Sequence, residues 1–345
     1  MGPAAARRGP AVDEHRGHVV AAYNPRMFSR RLAPIALALA AATLATGCVS
    51  FRPFADVERT LPSGRLIEVQ GQKVSIERSG EGAPLVLLHG FGESTLSFSA
   101  VLPELSRHFD VIAIDLNGFG FTQRPRESSS YTLAGQERLV LGVLDALHLD
   151  RVRLAGHSYG GAISLYIAAR HPERVDRLLL IDNALPLYAS ARRSALFRWR
   201  WVASLAARTV ALSDMRVKSG LKAAYFDDSL VTPQRVREYG ERLRIQGASD
   251  ALFGLVGPSD EPPYTLDLAA LETPTLVVWG IEDTLIPIAG ARERSHLLPR
   301  ARFVELPACG HSPMEECPTP FLAAVLPFLE SADAASISDP ASNVR

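Results

Sequence analysis

The chain has 345 residues, 47% of them hydrophobic, with 37 basic and 37 acidic side chains and a formal net charge of zero. That length and apolar fraction suffice for one large core, or for one domain carrying an insertion. The even balance, with no basic stripe or acidic tail, argues against a nucleic-acid partner, and nothing repeats at a solenoid period.

In chain order, residues 1–48 read as a leader rather than as part of the fold. Met27-Phe28-Ser29-Arg30-Arg31 is a short basic start, and Met27 is the expected true initiator. The apolar run Leu32 to Gly47 follows, ending at Cys48. As a helix at about 1.5 Å per residue it reaches roughly 24 Å, short of the ~30 Å hydrocarbon core. This is the pattern of a secretory signal. Leu44-Ala45-Thr46-Gly47-Cys48 resembles the cleavage box of bacterial lipoproteins, although Ala45 stands where that box usually has Leu. The resemblance implies lipidation of Cys48 and an exported, membrane-anchored protein; plain secretion and an uncleaved anchor are the alternatives. Cys309 and Cys317 then remain, expected as two buried thiols rather than as a disulfide.

Residues 49–64 read as a linker. From about residue 65, strands and helices alternate. Gln72 to Arg78, Pro84 to Leu88 and Asp110 to Asp115 are strand-like, and residues 132–148 are helical. Arg151 to Ala155 is a strand, Ala162 to Ala169 a helix, and Leu178 to Ile181 another strand. Strands at Thr275–Trp279 and Arg302–Leu306 flank a helix near Ala289–Leu298, and a last helix fills Thr319–Leu329. Such alternation predicts a mostly parallel sheet covered by helices on both faces, built from residues 65–184 and 264–332. Between them, residues 185–263 are Arg-rich and read as helices without strands: an inserted cap whose arginines are expected on a solvated face. Residues 333–345 read as a disordered tail.

Gly156-His157-Ser158-Tyr159-Gly160-Gly161 sits where a strand turns into a helix. A turn that sharp strains the central residue and leaves no room for side chains beside it, so Gly156 and Gly160 supply the space and Ser158 Oγ is pushed out above the sheet. A serine needs a base and the base needs an orienting carboxylate. His311, in Ala308-Cys309-Gly310-His311-Ser312-Pro313, and Asp283, in Trp279-Gly280-Ile281-Glu282-Asp283, both follow predicted strands. They should lie on the sheet edge that carries Ser158. Asp182, also at a strand end, is the alternative acid. The set His89, Asp115 and Ser158 runs in the order of chymotrypsin-like proteases, but that order belongs to a double β-barrel, which this alternating chain cannot form. His157 is read as filling the turn and His171 as capping a helix before Pro172. No metal-ligand spacing occurs. The expected oxyanion donors are the N–H of Tyr159 and that of Phe91, in the loop Leu88-His89-Gly90-Phe91-Gly92-Glu93.

His89-Gly90-Phe91-Gly92, Asp115-Leu116-Asn117-Gly118-Phe119-Gly120, the serine hexapeptide, Trp279-Gly280-Ile281-Glu282-Asp283 and Gly310-His311-Ser312-Pro313 together resemble the α/β-hydrolase family, in its order and over roughly residues 65–330. The resemblance implies an α/β-hydrolase fold and acyl transfer on a small ester or acyl compound, with no cofactor. Within that family, haloalkane dehalogenases and epoxide hydrolases carry Asp where this chain has Ser158. Hydrolases of carbon–carbon bonds in ring-fission products often carry Trp after the catalytic His, and here that place holds Ser312. A capped carboxylesterase or lipase-like enzyme is the expectation. Cofactor-free haloperoxidase-like, carbon–carbon hydrolase and iminopeptidase activities are the alternatives, and a non-catalytic, membrane-tethered binding module is the reading from another class.

Overall fold

The structure, a computed structural model, describes residues 49–184, 200–257 and 266–331. The leader with Met27 and Cys48, the ends of the inserted segment at 185–199 and 258–265, and the tail at 333–345 lie outside the described residues.

Eight strands form one sheet: β1 (Leu66–Val69), β2 (Gln72–Ser79), β3 (Pro84–Leu88), β4 (Asp110–Ile114), β5 (Val152–His157), β6 (Val175–Ile181), β7 (Thr275–Gly280) and β8 (Ala301–Leu306). Their order is β1-β2-β4-β3-β5-β6-β7-β8. The first two join antiparallel and the rest run parallel. β1 was not anticipated. It is only four residues long and buries one of them, and it exists because Gln70 and Gly71, both at positive φ, close a two-residue hairpin onto β2. β4 and β7 are buried along their whole length, as strands covered on both faces must be. The chain steps from β3 outward to β4 and then crosses to β5 on the other side of β3, so a crevice opens at the carboxyl ends of β3 and β5.

The helices are α1 (Phe54–Thr60), α2 (Leu102–Leu105), α3 (Leu133–Ala146), α4 (Ser158–Arg170), α5 (Arg200–Ala206), α6 (Asp214–Ala224), α7 (Pro233–Leu243), α8 (Ala248–Val256), α9 (Ile288–Ser295), α10 (Pro313–Glu316) and α11 (Pro318–Glu330). Alternate strand residues supply two cores. Val86, Ile112, Leu154, Leu178 and Val277 pack with α3 and α4, while Leu85, Val111, Ala155, Leu179 and Leu276 pack with Phe321, Val325 and Phe328 of α11. That alternation is the period of two turned into layers.

The described part of the insertion, 200–257, is built of helices joined by short turns, with no strand of its own. Ser213 and Thr232 cap α6 and α7, and Pro233 opens α7 at the position where its missing N–H costs nothing. Val217, Leu221, Tyr225, Val236 and Tyr239 hold the two helices together. Within the predicted linker, residues 49–54 form a strap along the cap. Val49 N–H donates to Arg208 O at 2.8 Å, Arg52 N–H to Arg244 O at 2.9 Å, and Gln246 N–H to Arg52 O at 2.8 Å. Val49 and Phe51 are apolar and pack against Ala207, Leu212 and Ala248, which is why the segment stays down.

Candidate active site

Ser158 opens α4 with φ of +49°, the strained elbow that the glycine spacing predicts. A Cβ on Gly156 would lie 2.3 Å from Gly160 O, and one on Gly160 would lie 2.2 Å from Leu88 O. No side chain fits at either place. The Ser158 hydroxyl donates to His311 Nε2 at 3.0 Å, and His311 Nδ1 donates to Asp283 Oδ2 at 2.7 Å. The other oxygen of Asp283 accepts the N–H groups of Leu285 at 2.8 Å and Ile286 at 2.9 Å. Burial alone would raise the Asp283 carboxyl, but the His311 ring and those two amides outweigh it and hold it below the usual carboxylate range.

Asp182 takes no part in that chain. Its Oδ1 accepts the N–H of Gly280 at 3.0 Å, and its Oδ2 has no hydrogen-bond donor. It is fully buried, and burial together with the charge of Asp283 pushes its carboxyl well above the ordinary value. Among the described residues, Asp182, Asp283 and His311 are the one group of potential ligands close enough to hold a metal ion, with one donor atom from each lying within 4.8 Å of the others. The donors on Asp283 and His311 already serve the Ser158 chain. The protease-order set does not assemble either. His89 Nε2 accepts the N–H of Leu116 at 3.0 Å, and Asp115 accepts those of Thr95 at 2.7 Å and Phe121 at 2.9 Å, so both brace loops.

Phe91 lies in the loop three residues after the end of β3, with its ring 5.2 Å from that of Phe119. Tyr159 lies in the first turn of α4, where backbone amides point out of the helix end and carry its partial positive charge. The expected oxyanion amides thus come from the loop after β3 and from the first turn of α4, on either side of the crevice. His171 caps α4 as expected, and its Nε2 also meets Glu137 Oε1 at 2.9 Å. Cys309 and Cys317 form a disulfide with Cα atoms 6.0 Å apart, correcting the expectation of two free thiols. Proximity decides this: the chain folds back through α10 immediately after His311, returning Cys317 to Cys309.

A cavity of about 450 Å³ opens over Ser158 and His311 between the sheet edge and the cap. Its walls are mainly apolar, including Phe119, Leu212, Val217, Leu221 and Leu255, with Glu93, Ser312 and Arg216 as polar points. Arg216 is thus a cap arginine that reaches the cavity, while Arg244 pairs with Asp214 and Arg235 with Glu315, away from it.

Several site groups carry no local sequence signal. Glu315, in α10, accepts the hydroxyls of Tyr225 at 2.8 Å and of Tyr239, besides pairing with Arg235. Burial first, and the charge of Glu93 second, push it up to about 7 against those partners. Glu316 accepts the N–H of Phe226 at 2.6 Å, and the His311 N–H donates to Ala224 O at 2.7 Å, so the cap is fastened to the histidine loop itself. Glu93 and His157 form a buried pair under the elbow. Their partners lie 64 and more residues apart, and only the fold brings them together.

An eight-stranded, mostly parallel sheet with a Ser-His-Asp chain at the carboxyl ends of its strands defines an α/β hydrolase. The family model described as the alpha/beta hydrolase fold matches residues 83–318, and the chain belongs to that family. It is 32% identical over 285 residues to a 2-hydroxymuconate semialdehyde hydrolase of Pseudomonas sp. (strain CF600), covering 80% of this chain and 96% of that protein. It is 31% identical over 280 residues to a 2-hydroxy-6-oxo-2,4-heptadienoate hydrolase of Pseudomonas putida, covering 78% and 97%. Among solved structures, a meta-cleavage product hydrolase from Pseudomonas fluorescens IP01 superposes with a TM-score of 0.65 at 27% identity, covering 78% of this chain and 98% of that one. The protein is a hydrolase of this family.

Proposed function

We propose that the protein hydrolyses carboxylic esters or related acyl compounds through a covalent intermediate on Ser158. The observation that carries this reading is the unbroken chain from Asp283 through His311 to the Ser158 hydroxyl, ending in an apolar cavity. His311 Nε2 takes the hydroxyl proton as Ser158 Oγ attacks the substrate carbonyl, and Asp283 holds the ring in the right tautomer and balances the imidazolium that forms. The Phe91 and Tyr159 amides receive the oxyanion, each worth about 10²–10³ in rate. His311 then passes its proton to the leaving alcohol, and a water, activated the same way, releases the acid. The binding-module reading is disfavoured because every part of this chain is in hydrogen-bonding contact.

One feature favours esters: Ser312 stands where ring-fission carbon–carbon hydrolases often have Trp. A second reading, carbon–carbon bond hydrolysis, is favoured by the names of the relatives and by Arg216, which offers a cation to a substrate carboxylate. One experiment separates them. The protein without its leader is assayed on p-nitrophenyl esters of graded chain length and, in parallel, on 2-hydroxymuconate semialdehyde, alongside Ser158→Ala labelled with a fluorophosphonate. Wild-type labelling, ester turnover and neither in the variant are the expected results. Turnover of the semialdehyde alone would move the assignment to the second reading, and equal labelling of both proteins would overturn both. Export, with lipid on Cys48, is proposed with this function; the mass of the mature N-terminal peptide tests it.

A further inference from the structure

We propose that His157 is a fixed imidazolium, with Glu93 as its counter-ion, that positions the His311 loop against the nucleophile elbow. The argument starts from acceptors. His157 is fully buried, and its Nδ1 lies 2.9 Å from Glu93 Oε2 while its Nε2 lies 2.7 Å from the carbonyl oxygen of His311. A carbonyl oxygen only accepts, so Nε2 must carry a proton. Glu93 Oε2 already accepts the N–H of Gly90 at 2.8 Å, so that oxygen is the acceptor toward Nδ1 as well. Both ring nitrogens therefore donate, which only the charged ring can do. His89, buried nearby, is the contrast: the N–H of Leu116 points at its Nε2, which fixes a neutral ring. The balance of charges agrees. Burial works against a cation at 157, but the charge and hydrogen bond of Glu93 outweigh it and leave the ring above the ordinary imidazole value.

The position gives the cation a use. His157 immediately precedes Ser158, its partner Glu93 grips the amide at the start of the oxyanion loop, and its other N–H holds the backbone of His311. One ion pair thus ties together the three segments that must keep register during acyl transfer. The ring centroid of His157 lies 4.9 Å from that of His311, beside the ring whose loop it holds. The charged or titratable groups facing the two rings are Glu93, His89 and Glu315 around His157, and Asp283 with Asp182 behind it around His311.

The kinetic half of this inference rests on the reading of His311 as the base; the charge state of His157 does not. The test is ¹⁵N–¹H correlation of the imidazole rings in the protein labelled with ¹⁵N-histidine, with His157 assigned by its loss in His157→Gln and His157→Asn. At pH 8, more than a unit above the ordinary imidazole value of about 6.5, both nitrogens of His157 should show the imidazolium pattern. In Glu93→Gln the pattern should be gone at that pH, and kcat on the preferred ester should fall with KM nearly constant, because the three segments lose their common tie. A neutral Nε2–H tautomer in the wild type at pH 8 overturns the proposal. So does a Glu93→Gln protein whose His157 keeps the imidazolium pattern at that pH, since the counter-ion would then not be what holds the charge. If no substrate is turned over at all, the spectrum still decides the charge of His157, and only the function reading falls.

Discussion

Asp182→Asn separates the two acids that the sequence offers. Asp182 has an ordinary carboxyl value of 3.8 and is raised well above it in the fold by burial and by Asp283. A group raised on folding contributes its stability below the unfolded value, and that contribution is lost as pH rises toward the folded one. In this window the unfolded chain has released the proton and the folded chain has not. The wild type therefore loses about 1.4 kcal/mol per pH unit above roughly 4, until Asp182 itself ionises. Asparagine has nothing to ionise, keeps an oxygen for the Gly280 amide and offers an N–H toward Asp283. The variant should gain on the wild type by that slope, read from urea midpoints at pH 4.5, 5.5 and 6.5 with m held constant. Its kcat on the best ester should stay within about tenfold, whereas Asp283→Asn should lose about 10⁴ because the His311 tautomer is no longer fixed. Parallel stability curves would refute the neutral carboxyl, and equal kinetic losses in the two variants would refute the assignment of Asp283.

Three further outcomes follow from the geometry. Gly156→Ala places a Cβ 2.3 Å from Gly160 O, so it should destabilise by about 1–3 kcal/mol and lower fluorophosphonate labelling, seen in a thermal melt and a labelling time course. Cys309→Ser opens a loop closed between cysteines eight residues apart, which should cost about 2.5 kcal/mol under oxidising conditions and nothing after reduction, by urea titration with and without dithiothreitol. Leu221→Ala removes a buried side chain from the α6–α7 packing and should cost about 2–5 kcal/mol, with KM rising more than kcat falls on long-chain esters.

The sheet and the Ser-His-Asp chain were legible because each part has a local signal. Pro84–Leu88 is a five-residue apolar run and was placed to the residue, and Ser158 is announced by the glycines its turn demands. Asp283 and His311 were found by their place after strands. What escaped depends on contacts distant in sequence. The strap at residues 49–54 is held by the cap some 150–190 residues further on, through bonds such as Phe54 N–H to Gln246 Oε1. The disulfide depends on α10 turning the chain back. Glu93 and His157 look like ordinary loop residues until the fold sets an acceptor against each ring nitrogen.

The hydrogen bond from His311 N–H to Ala224 O has a consequence for anyone who would re-engineer this protein. Cap exchange is an obvious route to new substrate range, since the cap supplies most of the cavity wall. Here residues 224–226 and Tyr239 double as a mount for the histidine loop, through Ala224 O, Tyr225 and Tyr239 on Glu315, and the Phe226 amide on Glu316. A chimera that imports a foreign turn at 224–226 inherits a different seat for His311 and should lose turnover on every substrate alike. One that grafts only α8 leaves that seat intact and should redirect selectivity. Substrate choice and catalytic alignment share one stretch of chain, so they can be altered independently only on its far side.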